Sequence, residues 1–204
     1  MKQQKDMRGA AGTVLLLILA ASAAIGQNSD LGMLFGPAYG QVTQLPNAHL
    51  STGLSLANQY TYAFQVADAK VGGLYVELPF ATSGYASGIV RPEVAVGGTN
   101  SYLFTPGLRF KFSLRSRVSL YTAVGGGGGV YGLKYIYFAG PYAGTTVVHH
   151  TTSGVLDFGG GIDYRLTKLL SIRAEARDFV SRRVLGPGSG QNFVLIEAGI
   201  GLHF

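Results

Sequence analysis

The feature that most constrains this chain is a period of two. Its closing stretch, FVLIEAGIGLHF, places Val194, Ile196, Ala198, Ile200, Leu202 and Phe204 in one row and Glu197, Gly199, Gly201 and His203 in the other. Successive side chains of a strand point to opposite faces, so a segment of this kind is a strand with one oily and one polar side. What the oily side touches, protein core or lipid, decides what the chain is.

The same alternation recurs along the chain. Leu156, Phe158, Gly160, Ile162, Tyr164 and Leu166 oppose Asp157, Gly159, Gly161, Asp163 and Arg165. Leu170, Ile172, Ala174 and Ala176 oppose Ser171, Arg173, Glu175 and Arg177, and Leu108, Phe110 and Phe112 oppose Arg109 and Lys111. Leu74, Val76, Leu78 and Phe80 oppose Tyr75 and Glu77. No helical segment is expected beyond residue 27. Eight strands are predicted, at about 30–37, 59–67, 71–80, 102–114, 118–131, 152–166, 169–179 and 192–204. Most approach or exceed the ~9 to 11 residues with which a tilted strand crosses a bilayer. The facing of the first, around LGMLFGP, is left open.

The connections alternate as well. Those after the second, fourth and sixth strands are short (67–70, 115–117, 167–168), and the others are long (38–58, 81–101, 132–151, 180–191). Antiparallel outer-membrane barrels have short turns at the periplasmic end and longer loops outside. The expected fold class is therefore all-β, an eight-stranded antiparallel up-and-down transmembrane β-barrel over residues 27–204. A soluble, lipocalin-like barrel is the competing architecture.

The N-terminus supports export. Lys2, Lys5 and Arg8 precede the apolar run AAGTVLLLILAASAA, and SAAIGQ offers small residues for cleavage after Gly26, so residues 1–26 read as a signal peptide. Their loss removes three bases and one acid and lowers the formal charge of the 204-residue chain from +6 to +4. No run of five or six like charges is present, so no nucleic-acid partner is expected. Cysteine is absent, which excludes disulfides and thiolate metal sites.

Charge within the strands decides the orientation. Glu77, Asp157, Asp163, Glu175 and Glu197 face Arg109, Lys111, Arg165, Arg173 and Arg177, five acids to five bases with a single lysine. A water-facing surface would carry more charge, much of it Lys and Glu. With the apolar rows toward lipid, these ten groups fall inside one narrow barrel and form an ion-pair network that fills it. Glu197 then needs an arginine partner, Arg173 or Arg177. Tyr60, Tyr62, Phe80, Phe104, Tyr164, Phe179 and Phe204 are read as aromatic girdles at the lipid interfaces.

With GLRFKFSLRSRVSLYTAVGGG, LDFGGGIDYRLTKLLSIRAEARDF and IEAGIGLHF, the chain resembles the bacterial outer-membrane protein β-barrel superfamily. Its small porin-like members include the outer-membrane protein A barrel and outer-membrane protein X. The resemblance implies a Gram-negative outer membrane with both termini periplasmic, and lipid and lipopolysaccharide as surroundings. It also implies an assembly signal at Phe204, Leu202 and Ile200, read by the barrel-assembly machinery. Oligomeric state is left open, with a monomer as the default.

Motifs for chemistry are weak. The glycine run 125–129 lacks the following helix and Gly-Lys-Ser/Thr of a phosphate loop, and is read instead as a bend that leaves room for arginines. His149 and His150 are adjacent on an extended chain and point to opposite sides, a poor metal pair; with Ser153 and Asp157 they are the only hint of a rim hydrolase. Asp178, Arg182 and Arg183 sit by the last loop, where arginines suit lipid phosphates or simply water. No catalytic residue, cofactor or metal is expected. The reading is a structural or surface-interaction barrel with a largely plugged lumen and no catalysis; the alternatives are a narrow channel for ions or small solutes and, behind it, the rim hydrolase.

Overall fold

In the computed structural model, residues 28–43, 49–50, 53–69, 72–84, 88–90, 94–114, 116–182 and 190–204 are described. The segment 1–26, expected to be a signal peptide, and Arg183 lie outside them. The strands are β1 (Ser29–Thr43), β2 (His49–Leu50), β3 (Gly53–Ala69), β4 (Gly72–Gly84), β5 (Gly88–Val90), β6 (Val94–Phe104), β7 (Gly107–Ser113), β8 (Val118–Tyr137), β9 (Thr146–Arg165), β10 (Leu170–Arg182) and β11 (Gly190–His203).

Every pairing is antiparallel, and the sheet closes on itself. β1 lies between β11 and β3, and β3 pairs with β4. β4 and β8 each pair with both β6 and β7, so these two strands are one stave of the barrel. β8, β9, β10 and β11 then follow in order. The result is an eight-stave up-and-down barrel, as the alternation predicts. Strands β2 and β5 only extend the edge of β6 past the rim.

The interrupted stave has a local cause. Proline cannot donate to a ladder, and Thr105–Pro106 separates β6 from β7. Opposite this break runs the glycine stretch of β8. A Cβ on Gly127 would stand 2.0 Å from the Phe104 carbonyl oxygen, and one on Gly125 2.3 Å from Asp157 Oδ1. The run therefore admits a close backbone approach, not the arginines expected there.

The strands are longer than the apolar alternation alone marks. β8 and β9 are 20 residues each and stay paired from Val118↔Tyr164 to Ile136↔Thr146. Their outer part continues past the last pairing of β9 with β10, Ser181↔Val155, as a protruding hairpin. Its tip turns through Gly140 and Gly144, whose φ of 84° and 81° suit glycine. Backbone hydrogen bonding carries a strand on where neither face is uniformly apolar, so sequence pattern underestimates its length.

The faces are inverted relative to a soluble protein. Phe35, Val124, Leu156, Phe158, Ile172 and Ile196 are each about half or more exposed, while Arg109, Arg173 and Arg177 are at most 1% exposed. Water would face a continuous apolar belt far larger than the few hundred Å² soluble proteins tolerate. Lipid accepts it, and a sheet can meet lipid without orphan backbone groups only as a closed ring of strands.

Candidate functional site: the barrel lumen

The inward row on each stave converges on the barrel axis, and in the half nearer the termini it is ionic. Four cations organise this tier. Arg177 on β10 reaches three acids: Nε lies 2.6 Å from Glu175 Oε1, Nη1 2.9 Å from Asp157 Oδ2, and Nη2 2.5 Å from Glu77 Oε1. Arg173 is bidentate to Asp163, at 2.7 and 3.1 Å, and reaches Asp30 Oδ2 at 2.6 Å. Arg109 contacts Glu77 Oε2 at 2.5 Å and Asp30 Oδ1 at 3.3 Å. Lys111 contacts Asp163 at 2.5 Å and Asp30 at 3.6 Å. The planar guanidinium fork explains the preference for arginine, since it serves several carboxylates at once.

Tyr121 on β8 stands among these groups. Its hydroxyl donates to Glu175 Oε2 at 2.5 Å, while Arg109 lies 4.6 Å and Arg173 5.4 Å from its ring centre. The Gln59 amide donates to Glu175 Oε1 at 2.8 Å. Glycine provides the room: a Cβ on Gly161 would meet the Tyr121 hydroxyl at 2.5 Å, and one on Gly32 would meet Arg173 Nη1 at 2.7 Å.

The half toward the long connections is mostly apolar, with Ser83, Ser101 and Ser181 also buried there. Ala38, Ala57, Ala81, Leu103, Tyr131, Val155, Phe179, Phe193 and Leu195 form one buried cluster inside the barrel. Tyr131 stacks on Phe193 with ring centres 6.1 Å apart and planes 15° apart. Phe179, expected in a lipid girdle, is buried here at 1% exposure, because it shares the inward parity of Arg173 and Arg177.

Three placements differ from the sequence expectation. Arg165 has inward parity but ends β9, so it is exposed at the mouth and forms no ion pair among the described residues. It borders cavities of about 290 and 320 Å³ that open at the terminal end beside Asn28, Tyr75 and Lys111. Asp30, whose strand had no settled facing, points inward and contacts Arg109, Lys111 and Arg173. Its one sequence signal was parity with Gly32, since an acid on β1 has no place in lipid. Glu197 is 3% exposed and in no ion pair among the described residues, and neither of its carboxylate oxygens has a hydrogen-bond partner.

Outside the lumen, His149 and His150 are exposed on the protruding hairpin, paired across to Leu133 and Gly132. Ser153 and Asp157 lie further down the same strand, and Asp157 is held by Arg177. Asp178 sits on the outward face of β10, between Phe158 and Val194. Phe204, Leu202 and Ile200 point outward, about 40% exposed. Ser29 and Phe204 exchange backbone hydrogen bonds of 2.7 and 3.0 Å, which puts the start of β1 and the end of β11 at one rim.

No family model and no curated protein sequence matches the chain. Solved structures do. Neisserial surface protein A (NspA) superposes with a TM-score of 0.56 at 13% identity, covering 87% of this chain and 97% of that one. Ail, the attachment invasion locus protein of Yersinia pestis, superposes with a TM-score of 0.50 at 18% identity, covering 87% and 99%. At such identities the likeness is one of fold, an eight-stranded antiparallel up-and-down transmembrane β-barrel.

Proposed function

We propose that this protein resides in a Gram-negative outer membrane as a closed barrel that displays its outer hairpins for surface interaction, without transport or turnover. The observation that carries this reading is the two-tier filling of the lumen. An ionic tier of four cations and their acids lies beneath an apolar tier closed by Phe179, Phe193, Leu195 and Leu103. A narrow barrel filled this way leaves no continuous water path. The protruding β8–β9 hairpin, with His149 and His150, is the surface offered to lipopolysaccharide or to other molecules outside. The termini face the periplasm, and Phe204, Leu202 and Ile200 form the signal read by the barrel-assembly machinery. Two structural neighbours are named for surface location and for attachment and invasion, which agrees with a display role.

Conductance in planar lipid bilayers tests the reading. The wild-type barrel is expected to be silent. Steady conductance that changes on replacing Arg173 or Glu175 would instead establish the channel, a reading favoured by the cavities that reach Lys111 from the terminal end. A hydrolytic activity abolished by His149→Ala or His150→Ala would establish the rim enzyme.

A further inference from the structure

The inward-facing charges of the ionic tier do not balance. The carboxylates are Asp30, Glu77, Asp157, Asp163, Glu175 and Glu197, six in all; the permanent cations are Arg109, Lys111, Arg173 and Arg177, four in all. His203, at the mouth, bonds Ser171 at 2.9 Å and lies 3.8 Å from Asp30. Five of the six acids contact a cation, and Glu197 alone does not.

Its surroundings cannot supply one. Glu197 stands directly across from Glu175 on β10, and like charges in that position repel. The nearest cation, Arg177, already directs each of its three guanidinium nitrogens at a different carboxylate. On the other side, β1 offers only Leu34, Gly36 and Ala38; a Cβ on Gly36 would come within 2.8 Å of the Glu197 Cα. Across the lumen, β3 contributes uncharged Gln59 and Thr61. Glu77 on β4, Asp157 on β9 and Arg109 on β7 are bound into the network around Arg177. Along its own strand the next inward residues are Leu195 and Phe193 of the apolar tier.

We propose that Glu197 is a proton-binding site in the barrel wall, its carboxyl held as the neutral acid with a bound proton standing where the other five acids have a cation. An isolated carboxylate buried beside an apolar layer and opposite a second carboxylate is costly, and neutralisation removes the cost.

Infrared spectroscopy of the barrel in lipid vesicles tests this directly. The wild type is expected to show the carbonyl stretch of a protonated carboxylic acid at neutral pH, and Glu197→Gln to lose it while inserting normally. The wild-type unfolding temperature should fall as pH is raised, and that of Glu197→Gln should stay level. A wild type without the band at neutral pH overturns the proposal whether or not any variant folds. So does a band that survives in Glu197→Gln.

Discussion

The two tiers of the lumen fill the same cylinder by opposite chemistry. The terminal-side tier is held by Arg109, Lys111, Arg173 and Arg177, each in contact with at least two acids; the loop-side tier is held by Phe179, Phe193, Leu195 and Leu103. The ionic tier shares its acids among cations, so most losses leave each carboxylate a partner, but removal of Arg177 leaves Asp157 and Glu175 buried without one. An apolar tier degrades by volume, since a truncated side chain leaves a cavity its neighbours partly close. Glu197 marks the seam, the last acid on β11 before Leu195 and Phe193.

That contrast can be broken by mutation, and the expected costs fall in order. Arg177→Met strands Asp157 and Glu175, leaves Glu77 to Arg109 alone and should destabilise the barrel by about 3–5 kcal/mol, read as the urea midpoint of the folded, heat-modifiable band. Phe179→Ala should cost about 3 kcal/mol through the cavity it opens. A larger loss there than in Arg177→Met would reverse the ranking of the tiers. Ile196→Arg moves the same guanidinium to the lipid side, where about 2–4 kcal/mol is expected near the bilayer midplane. If it costs nothing, the outward assignment of that row is wrong. Tyr121→Phe removes the hydroxyl that donates to Glu175 and should cost about 1–3 kcal/mol. His149→Ala with His150→Ala, on the exposed hairpin, should stay within about 0.5 kcal/mol of wild type.

Much of the wall was legible because alternation is a local signal. Where one row is Leu170, Ile172, Ala174 and Ala176 and the other is Ser171, Arg173, Glu175 and Arg177, a shift of one residue would put guanidinium groups in lipid. The signal failed where both rows were apolar or small. In β1, Leu31, Met33 and Phe35 alternate with Gly32 and Leu34, so the facing stayed open and Asp30 was missed as a partner of Arg109 and Arg173. The apolar tier was hidden because Phe179, at a strand end, looks like a lipid anchor until its parity with Arg177 is followed to the rim.

The sequence by itself determined the class of wall, its orientation toward lipid and the identity of most charged residues enclosed by it. Each of these follows from the two-residue period and from the cost of placing charge in hydrocarbon, and neither needs a distant partner. Only the tertiary structure decided who meets whom. Arg177 gathers Glu77 from 100 positions away along the chain, and Gln59 reaches Glu175 across 116. Those meetings depend on ring closure between β1 and β11 and on the register of every ladder between, which no local pattern carries. The same closure left Arg165 at the mouth and Glu197 without a cation, because the last residue of a strand has run out of barrel and a fork with three nitrogens has no fourth to give.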